Sequence, residues 1–395
     1  MSDKKINILI ELNSFDKGGL EKVVLDSALR FNKEKFNVFI VSIKNIGILA
    51  QIATANGIRV YTLEKFRSPF LKALYFIYII IRKKIDISFS HFSHEGYKIY
   101  KVLNVPNITF IHNVYAFLDE TMLKKLKACD KLVNTYISVS NNATRYAIKK
   151  IGLSEKKIIT IPNGLIIEEH QERLKNLIRL NRSDFGLEER DYVFLNVASY
   201  NLHKAHYLIA DAMKKVLKKR NDIKIICIGN IIVPAHFEEF KNYLKENHLE
   251  ENILLPGHFI NIEAFHVMSD AFLLPSFIEG WSIAMNEAMF YEKPMILSDT
   301  GGSKEVIENN DTGTLIENEY GDIINLDSKT LDHLAYEVRE YRTSEKLASA
   351  MIDFADNKET WKKSGKKGKE KILNLYNFND VVKKYEGVIF DILKR

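Results

Sequence analysis

Cysteine is scarce in this sequence, and no extended apolar segment opens the chain. Only two cysteines, Cys129 and Cys227, occur among 395 residues, and they are far apart. A disulfide framework or a cysteine-based metal site is therefore not indicated. Residues 1–5 lead directly into an apolar run of five residues, which is too short for the apolar region of a signal peptide. We expect no signal peptide and a reducing, cytoplasmic environment.

Nucleic-acid-binding patterns and a large excess of one charge are missing as well. The chain carries 57 basic and 51 acidic residues, a net charge of +6, with local basic clusters at 82–84, 149–150, 214–215 and 218–220. No RNP-like, zinc-finger or basic-zipper pattern accompanies these clusters, so nucleic acid is not an expected partner. A phosphate-rich small ligand or an anionic membrane surface fits better.

Metal-ligand patterns are also missing. No D-x-D triplet follows a predicted strand, and no group of histidines and aspartates has the spacing of a metal site. We therefore expect neither a metal nor a cofactor.

Short apolar runs and helical patterns alternate along the whole chain. Because fully apolar strands separated by helices form parallel sheets covered on both faces, the pattern predicts an α/β protein. The polar stretch 168–191 separates two series of strands and predicts two doubly wound domains. The predicted strands are 6–11, 37–42, 59–63, 87–89, 108–111, 136–139 and 158–161, then 192–197, 223–229, 253–255, 271–274, 295–298 and 313–316.

A pair of carboxylates follows one of these strands. Glu279 lies in a glycine-containing turn, and Glu287 comes eight positions later in a helical segment. If all eight positions were helical, Glu279 and Glu287 would be roughly 12 Å apart along the axis. That distance suits the sugar and ribose ends of a nucleotide-sugar. The N–H groups of Trp281, Ser282 and Ile283 would face a diphosphate between them. The alternative is a plain strand–turn–helix with solvated acids.

The segment 275–288, with Gly280 directly after Glu279, resembles the E-x7-E signature of the family 4 retaining glycosyltransferases. The resemblance continues in the family's order from about residue 6 to about residue 316 and implies the GT-B fold. That fold consists of two facing Rossmann-like doubly wound parallel-sheet domains with a cleft between them. The other matching stretches are Gly18-Gly19-Leu20-Glu21 (a G-G-x-E loop), Ile111-His112-Asn113 (a strand-end histidine), Pro162-Asn163-Gly164 (a P-N-G turn) and 198–204 (part of a G-R-L-x3-K loop).

The resemblance implies a division of labour between the domains. Residues 1–175 would form the acceptor-side domain, with loops 13–15 and 91–95 facing the acceptor, and residues 176–377 the nucleotide-sugar-binding domain. The C-terminal segment 378–395 has apolar residues at helical spacing. By resemblance, this helix packs back on the first domain.

The resemblance also implies the site residues. Glu279 would bind the donor sugar hydroxyls, Glu287 the ribose hydroxyls, and Lys204 the diphosphate, because carboxylates accept hydroxyl donors and lysine supplies a point charge. His112 would lie near the transferred sugar. The implied catalytic residues are Glu279, His112 and Lys204; the implied donor-binding residues are Gly18, Gly19, Ser199, Lys204, Glu279, Gly280, Trp281, Ser282, Ile283 and Glu287.

One expected cation is missing from this set. When the loop is aligned on Lys204, Ser199 stands where the family has an arginine. Two alternatives remain open: another residue such as His203 or His206 supplies the charge, or the diphosphate is held mainly by backbone amides.

The function expected from the resemblance is retaining transfer of a sugar from a nucleotide-diphosphate sugar, a UDP-sugar in the first instance, without a metal. The acceptor would be a glycan or a lipid-linked saccharide in bacterial surface polysaccharide biosynthesis. The alternatives are a nucleotide-sugar epimerase and a non-catalytic partner subunit that keeps the fold.

The segment 66–84 is apolar with basic margins, and two interpretations are open. It is too short and too basic at its ends to span a bilayer. It is either a crossover helix packed on the first sheet or a surface helix that gives a peripheral contact with an anionic membrane.

Overall fold

The computed structural model describes residues 4–16, 18–308 and 311–394. Its contacts divide the chain into two units. The first contains residues up to 112, 120–162 and the segment from 379 onward; the second contains 113–119 and 163–378. The segment 163–175, assigned to the first domain from the sequence, therefore groups with the second unit.

All thirteen predicted strands are present, and each sheet is entirely parallel. The first unit has the strand order β3-β2-β1-β4-β5-β6-β7 and the second β10-β9-β8-β11-β12-β13. The predicted fold class, a doubly wound parallel sheet in each unit, is confirmed. The strands are β1 Ile6–Leu12, β2 Phe36–Ser42, β3 Arg59–Thr62, β4 Ile87–His91, β5 Asn107–Ile111, β6 Thr135–Ser138, β7 Ile158–Thr160, β8 Tyr192–Val197, β9 Ile223–Ile228, β10 Ile253–Gly257, β11 Ala271–Leu274, β12 Met295–Ser298 and β13 Gly313–Ile316.

Helices connect the strands and cover both faces of each sheet, as parallel pairing requires. Short 3-10 and π turns supplement them. The α-helices are α1 Gly19–Arg30, α2 Ile48–Ala55, α3 Pro69–Arg82, α4 Tyr97–Val102, α5 Glu120–Cys129, α6 Asn141–Tyr146, α7 Ile167–Lys175, α8 His206–Val216, α9 Pro234–Glu246, α10 Ile262–Met268, α11 Ile283–Phe290, α12 Ser303–Val306, α13 Ser328–Asp332, α14 Ser344–Asp356, α15 Lys358–Leu375 and α16 Phe378–Leu393.

The central strands explain why the sequence forms these sheets. Every residue of β1 is buried, as is every residue of β4, β5, β11 and β12. The apolar residues of β11 and β12 suit strands covered on both faces. Buried polar residues of β4 and β5 bond each other, since the Asn107 amide donates to the Ser88 and Ser90 hydroxyls. The strand order reverses between β1 and β4 and again between β8 and β11. Ligands of doubly wound sheets bind beyond the carboxyl ends of the strands at such reversals.

A buried carboxylate shapes one of these edges. Glu11, fully buried in β1, accepts hydrogen bonds from the Ser93 hydroxyl (2.5 Å), the Gly96 N–H (3.1 Å) and the Tyr100 hydroxyl (2.9 Å). Burial raises the pKa of this carboxyl. These bonds fix the loop between β4 and α4, the loop that the sequence predicts to face the acceptor.

From Asn379 onward, helix α16 groups with the first unit and contacts its sheet. Phe390 packs on Phe36 with ring centroids 5.5 Å apart, and the Glu386 carboxylate accepts the Asn32 N–H at 2.8 Å. Arg395, the last residue of the predicted segment 378–395, lies outside the described residues. Across the described ranges, no helix combines the length and the apolarity needed to cross a membrane.

Candidate active site

Two predicted site residues of the second unit meet directly. Lys204 ends the 3-10 turn Leu202–Lys204 after β8, and Glu279 lies in the turn after β11. The Lys204 Nζ donates to Glu279 Oε1 at 2.6 Å, and the Ser276 hydroxyl donates to the same oxygen at 2.9 Å. The pair forms because β8 and β11 are neighbouring strands. It places a cation and a carboxylate side by side at the strand-order reversal.

The turn between Glu279 and α11 presents backbone donors. Within the part of the chain that the structure describes, the N–H groups of Gly280, Trp281 and Ser282 have no hydrogen-bond partner. The Ser282 hydroxyl caps α11 by accepting the Met285 N–H. Such a helix start favours an anion, because its free N–H groups point outward and the helix dipole is positive there.

The side chain of Trp281 serves the core rather than the ligand. It is buried, its Nε1 donates to Asn286 Oδ1 at 2.9 Å, and its ring packs on Tyr376. The prediction for Trp281 concerned its backbone N–H and is unaffected by this placement.

Two glycines that the sequence reasoning missed shape the same turn. Gly301 has φ of +54°, and a Cβ there would lie 2.5 Å from the Gly280 oxygen. A Cβ on Gly302 would lie 2.1 Å from the Trp281 ring. Only glycine allows this close approach to the Glu279 turn. The signal was present in the sequence as a Gly-Gly pair that begins three positions after the end of the predicted strand 295–298.

Glu287 lies on α11 among other ionisable side chains. Its carboxylate has no hydrogen bond within the described ranges, and the nearest partner, His170 Nε2 on α7, is 3.9 Å away, too far for a hydrogen bond. Burial raises the pKa of Glu287 to about 8; Arg173 opposes this shift and Glu263 adds to it. A buried carboxyl without donors is a receptive site for two ligand hydroxyls.

The loop around Ser199 bears on the missing arginine. His206 is fully buried, both of its ring nitrogens lack partners within the described residues, and burial lowers its pKa to about 4. Burial also lowers the pKa of His203, although its contact with Asp332 at 3.4 Å opposes this. His206 is therefore neutral near pH 7 and does not replace the missing cation.

The remaining predicted residues belong to the first unit. Gly18, with φ of +146°, precedes α1. Gly19 is the first residue of α1, and no atom lies within 4 Å of the position that a Cβ would take there. Lys17, which directly precedes this loop, lies outside the described residues. His112 follows β5, and its Nε2 lies 2.8 Å from His91 Nδ1. Burial lowers the pKa of His112 to about 4.

No cluster of three or more His, Cys, Asp or Glu side chains suited to a metal ion occurs within residues 4–16, 18–308 and 311–394.

Two family sequence models match the chain. One described as "Glycosyltransferase Family 4" matches residues 17–169, and one described as "Glycosyl transferases group 1" matches residues 178–334. Together they span most of the chain.

Individual proteins resemble the chain over similar lengths. An Escherichia coli UDP-Gal:α-D-GlcNAc-diphosphoundecaprenol α-1,3-galactosyltransferase is 26% identical over 73% of this chain and 81% of its own. The Staphylococcus aureus capsular polysaccharide biosynthesis glycosyltransferase CapH is 26% identical over 76% of this chain and 83% of its own. The crystal structure of Anabaena HepE with UDP-glucose superimposes with a TM-score of 0.78 at 14% identity, covering 98% of this chain and 100% of that one.

These likenesses and the two doubly wound sheets define a glycosyltransferase of the GT-B fold. The chain belongs to the family 4, or group 1, glycosyltransferases. Its relatives include enzymes of bacterial polysaccharide assembly.

Proposed function

We propose that this glycosyltransferase transfers a sugar from a UDP-sugar, with retention and without a metal ion, to a glycan or lipid-linked saccharide in bacterial surface polysaccharide synthesis. The observation that carries the proposal is the Lys204–Glu279 pair at 2.6 Å beside a turn of free backbone N–H groups. A departing diphosphate needs oriented positive groups, and a sugar needs a fixed carboxylate to accept its hydroxyls.

In this proposal, the diphosphate is held by Lys204 and backbone amides. Lys204 is bound to Glu279 in the free protein, so the incoming diphosphate shares or displaces that contact. The neutral state of His206 supports the amide alternative over a substitute cation. The galactosyltransferase relative named for a UDP-sugar and a diphosphoundecaprenol acceptor supports this donor and acceptor class.

A panel of nucleotide-sugars with and without EDTA tests this function. We expect a UDP-sugar to raise the melting temperature, sugar transfer to continue in EDTA, and the product to keep the anomeric configuration of the donor. Isomerisation of the donor with no acceptor consumed would identify an epimerase instead. If no nucleotide-sugar raises the melting temperature, the transferase proposal fails.

We also propose that α3 rests on an anionic membrane surface. One face of α3 packs on the sheet through Phe76, Ile79 and Ile80. A second apolar face is exposed to solvent, and its side chains lie within an arc of about 100° around the helix axis. Its residues are Phe70, Leu71, Leu74, Tyr78 and Ile81, which are 47% to 69% exposed.

The charge around this face supports an anionic lipid surface as its partner. Residues 65–85 contain six basic and no acidic side chains. A helix with apolar residues outward and cations at its margins suits an anionic lipid surface. Both interpretations from the sequence thus apply to α3. Its inner face packs on the first sheet, as a crossover helix does, and its outer face is exposed and is the face that we propose for lipid contact.

Removal of the basic margin should release the protein from anionic liposomes. The variant has Arg67, Lys72, Arg82, Lys83 and Lys84 changed to glutamine. Each cation contributes about 1 kcal/mol near anionic lipid, so co-sedimentation should fall sharply, and salt should weaken wild-type binding. A variant with Lys362, Lys363 and Lys366 of α15 changed to glutamine is the charge control and should still bind. Equal binding by the first variant and wild type, or no binding by wild type, would exclude α3.

A further inference from the structure

A second histidine contacts the histidine assigned to the donor sugar. His91, the last residue of β4, is buried, and its Nδ1 lies 2.8 Å from His112 Nε2. The ring of His91 stacks on Phe110 at 4.2 Å and on His112 at 4.9 Å. Because β4 and β5 are neighbours in register, with His91 opposite Phe110, the strands themselves hold the two rings together. The sequence placed His91 only in the loop 91–95 expected to face the acceptor and gave no sign of its contact with His112.

Both rings are neutral near pH 7. Burial, with the adjacent His112, lowers the pKa of His91 well below its usual value, and burial alone lowers that of His112 to about 4. A neutral imidazole carries one proton, so one ring donates to the other and the direction is fixed by the remaining nitrogens.

The outer nitrogen of His91 decides the direction. His91 Nε2 is buried and has no hydrogen-bond partner within the described part of the chain. A proton on that nitrogen would be a buried donor without an acceptor. In folded proteins, buried N–H groups without a partner are rarer than buried acceptors without one. The proton of His91 therefore belongs on Nδ1, where it is shared with His112 Nε2.

We infer that His91 is a positioning residue that donates its Nδ1–H to His112 Nε2 and holds His112 in the tautomer protonated at Nδ1. This inference rests on the proposed function for the role of His112 toward the donor sugar. With Nε2 occupied, the ring of His112 has Nδ1–H as its only polar hydrogen. Because Nε2 accepts the His91 proton and Nδ1 carries the ring's own proton, His112 in this state is not a general base.

NMR of the ¹³C,¹⁵N-histidine-labelled protein tests the inference without any nucleotide-sugar present. The ring shifts of His112, assigned with His112→Gln, should report Nδ1–H and a bare Nε2 at pH 7 in wild type. His91→Asn keeps an amide N–H near the Nδ1 position and should preserve this state. His91→Phe keeps the stack on Phe110 but removes the donor, so His112 should gain the Nε2–H tautomer.

Kinetics with the active UDP-sugar supply the second readout. Loss of one neutral hydrogen bond is worth about 1 kcal/mol, so His91→Phe should lower kcat roughly 5- to 10-fold at little change in donor KM, and His91→Asn should restore most of it. Tyr385→Phe is the matched control, since its hydroxyl is buried without a partner among the described residues and its ring packs on the same Phe110. It should leave both readouts unchanged.

The outcomes distinguish failure of the positioning role of His91 from failure of the proposed function. An Nε2–H tautomer of His112 in wild type, or the same tautomer and kcat in His91→Phe as in His91→Asn, would overturn the positioning role. If His91→Phe does not fold, the wild-type and His91→Asn spectra decide the matter. The expected tautomer in a protein that turns over no nucleotide-sugar would overturn the proposed function and leave the positioning of His112 standing.

Discussion

Glu287→Gln should make the free protein more stable at pH 8.5 while weakening its binding of UDP. Folding raises the pKa of the Glu287 carboxyl from 4.5 to about 8, chiefly by burial. The stability linked to the protonated carboxyl is complete below pH 4.5 and is lost as the pH rises through 8, because the folded state must then ionise a buried group. At ~1.4 kcal/mol per pKa unit, the loss is on the order of 5 kcal/mol. Glutamine has no proton to lose.

The measurement is the free energy of unfolding of both proteins between pH 5 and pH 8.5. We expect the advantage of Glu287→Gln to be near zero at pH 5 and largest at pH 8.5. A difference that does not change with pH would mean that Glu287 is ionised throughout in the folded protein.

UDP affinity of the same variant tests the ribose assignment. At pH 8.5, above the pKa of about 8 of the Glu287 carboxyl, loss of its charge-assisted hydrogen bonds costs ~1.5–3 kcal/mol, or roughly 10- to 150-fold in affinity. Glu263→Gln, which alters the carboxylate next to Glu287, is the matched control and should keep wild-type affinity in calorimetry. Unchanged affinity in Glu287→Gln would show that this residue does not bind the ribose.

Lys204→Met should nearly abolish sugar transfer. The change keeps the aliphatic stem but removes the cation that contacts Glu279 at 2.6 Å. Removal of one donor that stabilises developing charge typically lowers kcat by about 10²- to 10³-fold. UDP binding should weaken as well, because no neighbouring histidine supplies charge: His206 stays neutral with a pKa of about 4.

Two further variants test this prediction, one as a control and one as a gain of binding. Lys214→Met alters a lysine of α8 whose Nζ donates to the Tyr243 hydroxyl at 2.7 Å, so it matches the charge change and should retain activity. Ser199→Arg restores the family's guanidinium and should tighten UDP binding. If Lys204→Met behaves like Lys214→Met, Lys204 does not face the diphosphate; if Ser199→Arg has no effect, the loop is aligned wrongly.

Much of the fold was predictable because its signals are local. The run Ile6-Asn7-Ile8-Leu9-Ile10 has the composition of a strand covered on both faces, and β1 is buried along its whole length. The helix after Glu279 was likewise evident from the residues around it, and α11 begins at Ile283. The unit boundary was less accessible: the polar composition of 168–191 suggested a linker, whereas α7 groups with the second unit.

The candidate site was predictable as residue types but not as contacts. The order of motifs indicated Lys204 and Glu279 separately, and their ion pair joins positions 75 residues apart. Gly301 and Gly302 were passed over, since their role depends on how closely the Glu279 turn approaches them. His91 was predicted only as part of the acceptor-facing loop 91–95, because its contact with His112 depends on the pairing of β4 with β5.

The sequence by itself determined the strands, the two doubly wound domains and the family, because apolar periodicity and motif order are properties of consecutive residues. The tertiary structure alone decided which groups are charged. Glu287 is held protonated and His206 neutral by burial among segments distant in the chain, and α3 keeps an apolar face exposed because the sheet covers only its other side. Protonation and exposure depend on the surroundings of a side chain, and those surroundings exist only once the chain has folded.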